Sequence, residues 1–413
     1  MISAAKKIKN GFNWPLLFLL ATPYLAISAN KEGFLALLPF VRDEFAISRA
    51  QSGLYLSFFF LSATLVAIFS GRLVDRLGTK RGMLLGVLSS GGCMLLHTIA
   101  PAFSVILLLS FITGLGFSFI TPSVNKGVME VSSPQNRAVS MGIMQAGGGL
   151  GGILGASLLP GLAELLGWRI SVLFSAFVPL IVGVIIYHKY QSQEAVESTE
   201  KRGKNESGTT SFKADVLKLI KNRKLLSVCL LGTAFGVKSG ATRAHYTIFL
   251  SQDLAISRSL AGVGFGILLT GALLGYPGWG WISDRFLGGN RRNGLLIISA
   301  TATLSLLCFG LYVNSPRRPF ILVALLSLLL GFSVVGTAGL QFTTVAELAR
   351  AERMGMATGL ALIFFRLGLM LGPLLFGLVA DLRNAYDYSW MLMGLMMALS
   401  AFIFYQVSNP ELK

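Results

Sequence analysis

The chain has 413 residues, 54% of them hydrophobic and only 13% charged, with a mean hydropathy of +0.69. That is half the charge density of a water-soluble domain, which excludes a soluble globular protein. The net charge of +17 raises the question of nucleic acid, but no basic stretch is interleaved with aromatics, and nucleic acid is excluded as a partner.

The apolar residues fall in long runs rather than stripes, and a hydrocarbon core about 30 Å thick needs about 20 apolar residues per helical crossing. Reading between charged and turn-rich breaks gives twelve spans: 12–41, 52–71, 82–100, 103–131, 139–166, 170–187, 225–250, 259–282, 293–313, 320–346, 355–380 and 389–407. With the N-terminus inside, seven of the 35 Lys and Arg fall on the outer side (Arg42, Arg49, Arg169, Arg258, Arg317, Arg318 and Arg383). Five lie within spans (Lys31, Lys126, Lys238, Arg243 and Arg366), and the remaining 23 lie inside. This is the positive-inside bias; it places both termini in the cytoplasm, with anionic lipid headgroups against the basic connections. Fold class follows: an all-α polytopic membrane protein, multi-pass in a cell membrane, a bacterial inner membrane in particular, and expected as a monomer.

Span one begins after Lys6, Lys7 and Lys9, which mimics a secretory signal, but we read it as an uncleaved first helix. Lys31 and Glu32 interrupt it. A charged side chain at the bilayer centre costs at least about 2.5–3.5 kcal/mol, so each should face a cavity or a partner. Between spans two and three runs Gly71-Arg72-Leu73-Val74-Asp75-Arg76-Leu77-Gly78-Thr79-Lys80-Arg81. Asp75 there faces Arg76, Lys80 and Arg81, a pairing suited to a conformational latch. Span four carries Lys126, which either snorkels or pairs with Glu130. Span five holds Gly147-Gly148-Gly149-Leu150-Gly151-Gly152. No strand precedes this run, so its Gly-x-Gly-x-x-Gly pattern reads as close helix packing rather than a dinucleotide site.

Residues 188–224 form the long polar stretch between spans six and seven. Ser192 to Ser211 reads as a flexible linker, and Phe212 to Lys224 as a short amphipathic helix on the inner leaflet. The chain therefore divides into a first bundle (1–187), a linker (188–224) and a second bundle (225–413). Span seven carries Lys238, with Arg243 and His245 near its outer end. Span eleven carries Arg366, then Gly368, Gly372-Pro373 and Gly377.

The halves repeat. Gly280, Asp284 and Arg285 follow Gly71, Asp75 and Arg76 by 209 residues, and Glu130, Arg137 and Gly142 recur as Glu347, Arg353 and Gly359. Parallel six-span repeats are a transporter architecture with the substrate site at their interface. The loop at 71–81, echoed at 280–292, resembles the signature of the major facilitator superfamily. That resemblance covers the whole chain and implies two six-helix bundles working by alternating access. Around Lys31-Glu32-Gly33-Phe34 and Lys238-Ser239-Gly240 it resembles the anion:cation symporter and organophosphate:phosphate antiporter branch, with lysine where that branch carries substrate-binding arginines. Lysine binds as a point charge rather than bidentately, so anion binding is expected without phosphate-ester specificity.

The two lysines, 207 residues apart, are expected as symmetry mates facing each other across the cavity, with Arg366 and Lys126 as further substrate contacts. An inside-negative potential opposes anion entry, so uptake needs a co-transported cation; Glu32 is the first candidate proton carrier and His245 the second. Latch roles fall to Asp75, Arg76, Arg81, Glu130, Arg137, Asp284, Arg285, Glu347 and Arg353. No metal-ligand spacing and no nucleophile constellation occur, so no cofactor, metal or enzymatic activity is expected. The reading is a secondary transporter of a small organic anion, a carboxylate coupled to protons. The alternatives are a multidrug or metabolite efflux antiporter and a transporter-like anion receptor.

Overall fold

The computed structural model describes residues 14–133, 136–191, 219, 221–349 and 354–408. These are almost wholly helical: α1 (Trp14–Phe45), α2 (Arg49–Leu77), α3 (Thr79–His97), α4 (Phe103–Val131), α5 (Arg137–Leu166), α6 (Trp168–Lys189), α7 (Arg223–Gln252), α8 (Arg258–Phe286), α9 (Arg291–Tyr312), α10 (Phe320–Leu348, broken in its middle), α11 (Met354–Arg383) and α12 (Asp387–Ser408). Ten segments of them are long and apolar enough to cross a membrane. The two that fall short, α1 and α3, are diluted by Asn30-Lys31-Glu32 and by the polar start Thr79-Lys80-Arg81. The flexible linker, and residues 212–218 and 220 of the expected amphipathic helix, lie outside the described residues.

Turn chemistry sets the helix ends. Gly78 alone separates α2 from α3 and Gly167 alone separates α5 from α6, both at φ +87°. A side chain at that φ would clash with its own backbone, so these one-residue corners need glycine. Ser48 caps α2 in a reciprocal box with Gln51, and Asn222, Ser257 and Asn290 cap α7, α8 and α9.

Helices α1–α6 pack among themselves, as do α7–α12. The two groups meet through α2 on α11 and α5 on α8, with α1 beside α7 in the middle. The glycine runs let these backbones touch. A Cβ on Gly147, Gly151 or Gly155 of α5 would strike the carbonyls of Ala21, Leu25 or Ala29 in α1, the small-residue packing that membrane helices use in place of a hydrophobic drive.

Closure between the groups is one-sided. At the end away from the termini, called distal here, a Cβ on Gly377 would lie 2.6 Å from Ala50 Cα, and one on Gly53 would lie 2.6 Å from the Pro373 carbonyl. Towards the other, proximal end, a Cβ on Gly142 of α5, or on Gly355 or Gly359 of α11, would meet nothing within 4 Å among the described residues. The bundle is sealed distally and stands apart proximally.

Helix α10 breaks at a π-turn, Gly331–Val335, before resuming at Ala338. Such a turn releases carbonyls from the helical ladder, and inside a membrane each released group needs another donor. Trp279 Nε1 of α8 donates to the Phe332 carbonyl at 2.9 Å, and Lys238 Nζ of α7 donates to the Ser333 carbonyl, also at 2.9 Å.

Candidate functional site

At the junction of the groups α1 carries two adjacent opposite charges. Lys31 Nζ lies 3.0 Å from Glu32 Oε1, and the ammonium sits over three rings, Phe59 and Phe60 of α2 and Phe117 of α4, at 5.6–5.9 Å. Rings that close attract a cation through their negative faces. Glu32 in turn accepts a hydrogen bond from Arg243 Nη1 of α7, so this ion pair crosses between the groups. Arg243 Nη2 reaches the Tyr276 hydroxyl of α8 at 3.4 Å. A Cβ on Gly152 of α5 would lie 3.0 Å from Glu32 Cγ, so that glycine admits the carboxylate. All three charged side chains are largely buried, Glu32 at 3% exposure, Lys31 at 10% and Arg243 at 14%. Glu32 Oε2 has no hydrogen-bond partner among the described residues. Two cations and one acid leave a net positive centre with one carboxylate oxygen free.

The sequence places Arg243 near the outer end of span seven; the structure sets it against Glu32. The signal was present: an intramembrane arginine demands a partner, and Glu32 is an acid well inside a span. Tyr276 and the three phenylalanines carry no such signal.

The two lysines expected to face each other point into opposite halves. Lys31 lies among α2 and α4, whereas Lys238 is fully buried, bonded to the π-turn carbonyl and 4.3 Å from the centre of the Phe235 ring. Arg366 is half-buried and its Nη1 donates across the interface to the Ala63 carbonyl of α2 at 3.2 Å. Lys126 is not part of this centre: it lies 3.8 Å from Asp75 Oδ1 at the proximal end, so of the two alternatives it pairs, but with Asp75 rather than Glu130. His245 is also elsewhere. It is fully buried in the distal seal, with Nε2 2.7 Å from the Pro373 carbonyl and Nδ1 3.0 Å from the Tyr386 hydroxyl.

That seal centres on Arg49 of α2. Its Nη1 donates to the Ala380 carbonyl at 3.4 Å and to Asn384 Oδ1 at 2.8 Å, and its Nη2 donates to the Asn384 carbonyl at 3.1 Å and forms an ion pair with Asp253 Oδ1 at 3.8 Å. The backbone N–H groups of Arg49 and Ala50 donate to the Asp381 carboxylate, each at 2.9 Å. Burial in this seal raises the Asp253 carboxyl above the ordinary aspartate range, against the lowering pull of its hydrogen bond from Tyr386 N and of Arg49. Two rim pairs, Arg42–Gln252 and Arg258–Asp43, also join the groups.

At the proximal end the repeats solve one problem in two ways. The acid near the end of α4, Glu130, accepts from Thr79 Oγ1 and Tyr190 OH, each at 3.0 Å. Its counterpart in α10, Glu347, pairs with Arg291 at 3.0 Å, and Arg291 also holds Asp284. Thr79 and Arg291 are the first residues of α3 and α9, so the geometry repeats while hydroxyls replace a guanidinium. Arg76, Arg81 and Arg285 are exposed; Arg137 Nε is buried without a partner among the described residues; Arg353 lies outside them. Among the described residues no cluster of His, Cys, Asp and Glu could hold a metal.

The profile of the Major Facilitator Superfamily matches residues 17–243 and again 239–413, one match per half. The chain is similar to the gentisate transporter of Corynebacterium glutamicum, 28% identical over 370 residues, covering 87% of this chain and 79% of that protein. It is also similar to the quinolone resistance protein NorA of Staphylococcus aureus, 24% identical over 352 residues, covering 84% and 85%. Among solved structures, a bacterial homolog of the human lysosomal transporter Spinster, inward-facing and occupied, superposes with a TM-score of 0.80 at 15% identity, over 97% of each chain.

Proposed function

Because the chain belongs to the Major Facilitator Superfamily and is thus a multi-pass membrane transporter rather than an enzyme, we propose that it carries a small carboxylate anion by alternating access, in symport with protons. The observation that carries this reading is the buried Lys31–Glu32–Arg243 centre, with its excess positive charge and one free carboxylate oxygen. A substrate carboxylate competes with Glu32 for the two cations, and the displaced Glu32 takes a proton. The rings of Phe59, Phe60 and Phe117 beside Lys31 favour an aromatic or otherwise flat acid, in keeping with the relative named for gentisate. Lys31, Lys238, Arg366 and Lys126 remain the proposed substrate contacts, and Glu32, then His245, the proposed proton carriers.

The positive-inside bias orients the proximal end to the cytoplasm, where the basic connections meet anionic headgroups, so the distally sealed conformer is inward-facing. In this reading residues 1–187 and 225–413 are the rocking bundles, twelve spans joined by 188–224, with both termini cytoplasmic and the protein a monomer.

The testing experiment is uptake into proteoliposomes under an imposed pH gradient, with aromatic acids, aliphatic acids, phosphate esters and cationic dyes compared. Saturable uptake of a carboxylate supports the reading. Dye extrusion without carboxylate uptake would favour the efflux alternative, for which the similarity to NorA speaks. Binding without flux would make the protein an anion receptor.

Lys238 has two separable roles. Removing one partner of a buried hydrogen bond leaves the other unsatisfied at a cost of about 1–3 kcal/mol, so Lys238→Met, which strips the donor from the Ser333 carbonyl, should lower the melting temperature. If Lys238 also contacts substrate during the cycle, the same variant should lose carboxylate binding by at least about tenfold, the size of one charge-assisted contact. Unchanged affinity in Lys238→Met restricts this lysine to holding the π-turn.

The proximal acids act as latches, together with Arg76, Arg81, Arg137, Arg285 and Arg353. Asp284→Asn should leave substrate affinity intact and slow turnover several-fold, because Arg291 then holds α8 less firmly to α9 and α10. Turnover equal to that of the unaltered protein in both Asp284→Asn and Asp75→Asn would reduce both loops to a topogenic role.

A further inference from the structure

A second cationic site lies away from the centre, at the proximal end of the second half. A cavity of about 240 Å³ opens between α7, α9, α10 and α12, lined by Lys224, Arg291, Arg292, Glu347, Phe404 and Ser408 among others. Among the described residues three cations face one acid, and the acid is already taken, since Glu347 pairs with Arg291. The surplus is carried by Lys224 and Arg292.

Arg292 is held in place with part of its donor edge unused. Its Nε bonds Ser408 Oγ at 3.0 Å, and its guanidinium lies 4.8 Å from the centre of the Tyr405 ring. Its Nη2 is buried and has no partner among the described residues. A guanidinium fixed by a stacking ring and one hydrogen bond is pre-organised to take an oxyanion on its remaining edge. Lys224, exposed in the first turn of α7, supplies a second, mobile charge from the opposite wall. Val228 and Phe404 give the same cavity an apolar side.

We propose that this cavity binds a phosphate-bearing anion, with Arg292 and Lys224 as its donors. Two sources share that chemistry: the headgroup of an anionic phospholipid, whose acyl chains would run along Val228 and Phe404, and free phosphate. Basic pockets between membrane helices on the cytoplasmic side are suited to lipid headgroups. The site does not depend on the transported substrate and stands on different residues. Its occupancy bears on the latch, because an anion beside Arg292 also competes with Glu347 for Arg291.

The test is thermal unfolding of the full chain in uncharged detergent, titrated at constant ionic strength with short-chain phosphatidylglycerol, phosphatidylcholine or inorganic phosphate. The unaltered protein should gain a saturable rise in melting temperature with phosphatidylglycerol and not with phosphatidylcholine. In Lys224→Gln half-saturation should weaken about tenfold, and in Lys224→Gln with Arg292→Gln it should be lost. Lys224 is exposed, so Lys224→Gln removes no packing and decides the matter even if Arg292→Gln does not fold. Protection by phosphatidylglycerol alone assigns the site to lipid, and equal protection by inorganic phosphate assigns it to the free anion. Absence of saturable protection by either, or the same half-saturation in Lys224→Gln as in the unaltered protein, overturns the proposal.

Discussion

Glu32→Gln should keep anion exchange across proteoliposome membranes while losing accumulation driven by a pH gradient. A monoanion carried with one proton is electroneutral, so it should accumulate about tenfold per pH unit. With glutamine the proton has no seat between Lys31 and Arg243, and the accumulation ratio should fall to about one. The amide also competes less well than a carboxylate for the two cations, so apparent substrate affinity should rise and release should slow. Radiolabelled counterflow and gradient-driven uptake on the same vesicles separate the two functions. Persistent accumulation would move the proton to His245 or to the substrate itself, and loss of exchange would make Glu32 a binding or structural residue.

Arg49→Ala should open the distal seal. The substitution strips one guanidinium from the Ala380 carbonyl, both Asn384 acceptors and Asp253. Breaking a buried ion pair by removing one partner costs about 3–5 kcal/mol. Most of that loss is specific to the sealed conformer, so the balance between sealed and opened forms should move by about a hundredfold or more. A cysteine at Ser57, whose hydroxyl donates to the Met370 carbonyl across the seal at 2.6 Å, would report the change once Cys93, Cys229 and Cys308 are replaced. It should be shielded from a distal-side thiol reagent in the Arg49-containing protein and react readily in Arg49→Ala. Equal labelling would mean that the glycine contacts at Gly53 and Gly377 hold the seal without Arg49.

How much of this was legible in the sequence depends on the range of the interaction. The helices were, because their lengths follow from hydrocarbon thickness and their breaks from local Gly, Pro and charge; α10 was read as one run from 320 to 346, and only its π-turn was hidden. The proximal acids were legible because the repeat doubles them at matched offsets. Partner identity was not. Glu32 and Arg243 are 211 residues apart, and neither periodicity nor composition selects between Arg243, Lys238 and Arg366 as the cation that meets the acid. The bond that Lys238 makes was hidden for a related reason: a lone intramembrane lysine advertises a partner, but a backbone carbonyl released by a π-turn leaves no mark in residue types. Arg49 was read only as an outer-side charge, since its partners Ala380, Asp253 and Asn384 lie over two hundred residues away.

The unequal chemistry of the two proximal acids makes the halves respond differently to ionic strength. Glu347 is about half-exposed and held by a guanidinium, an attraction that mobile ions weaken as the screening length shrinks to about 3 Å near 1 M salt. Glu130 is held by two neutral hydroxyls, whose short directional bonds are almost indifferent to added ions. Concentrated salt should therefore loosen the α8–α9–α10 corner while leaving α3–α4–α6 tight, turning a symmetric pair of bundles into one stiff and one pliant partner.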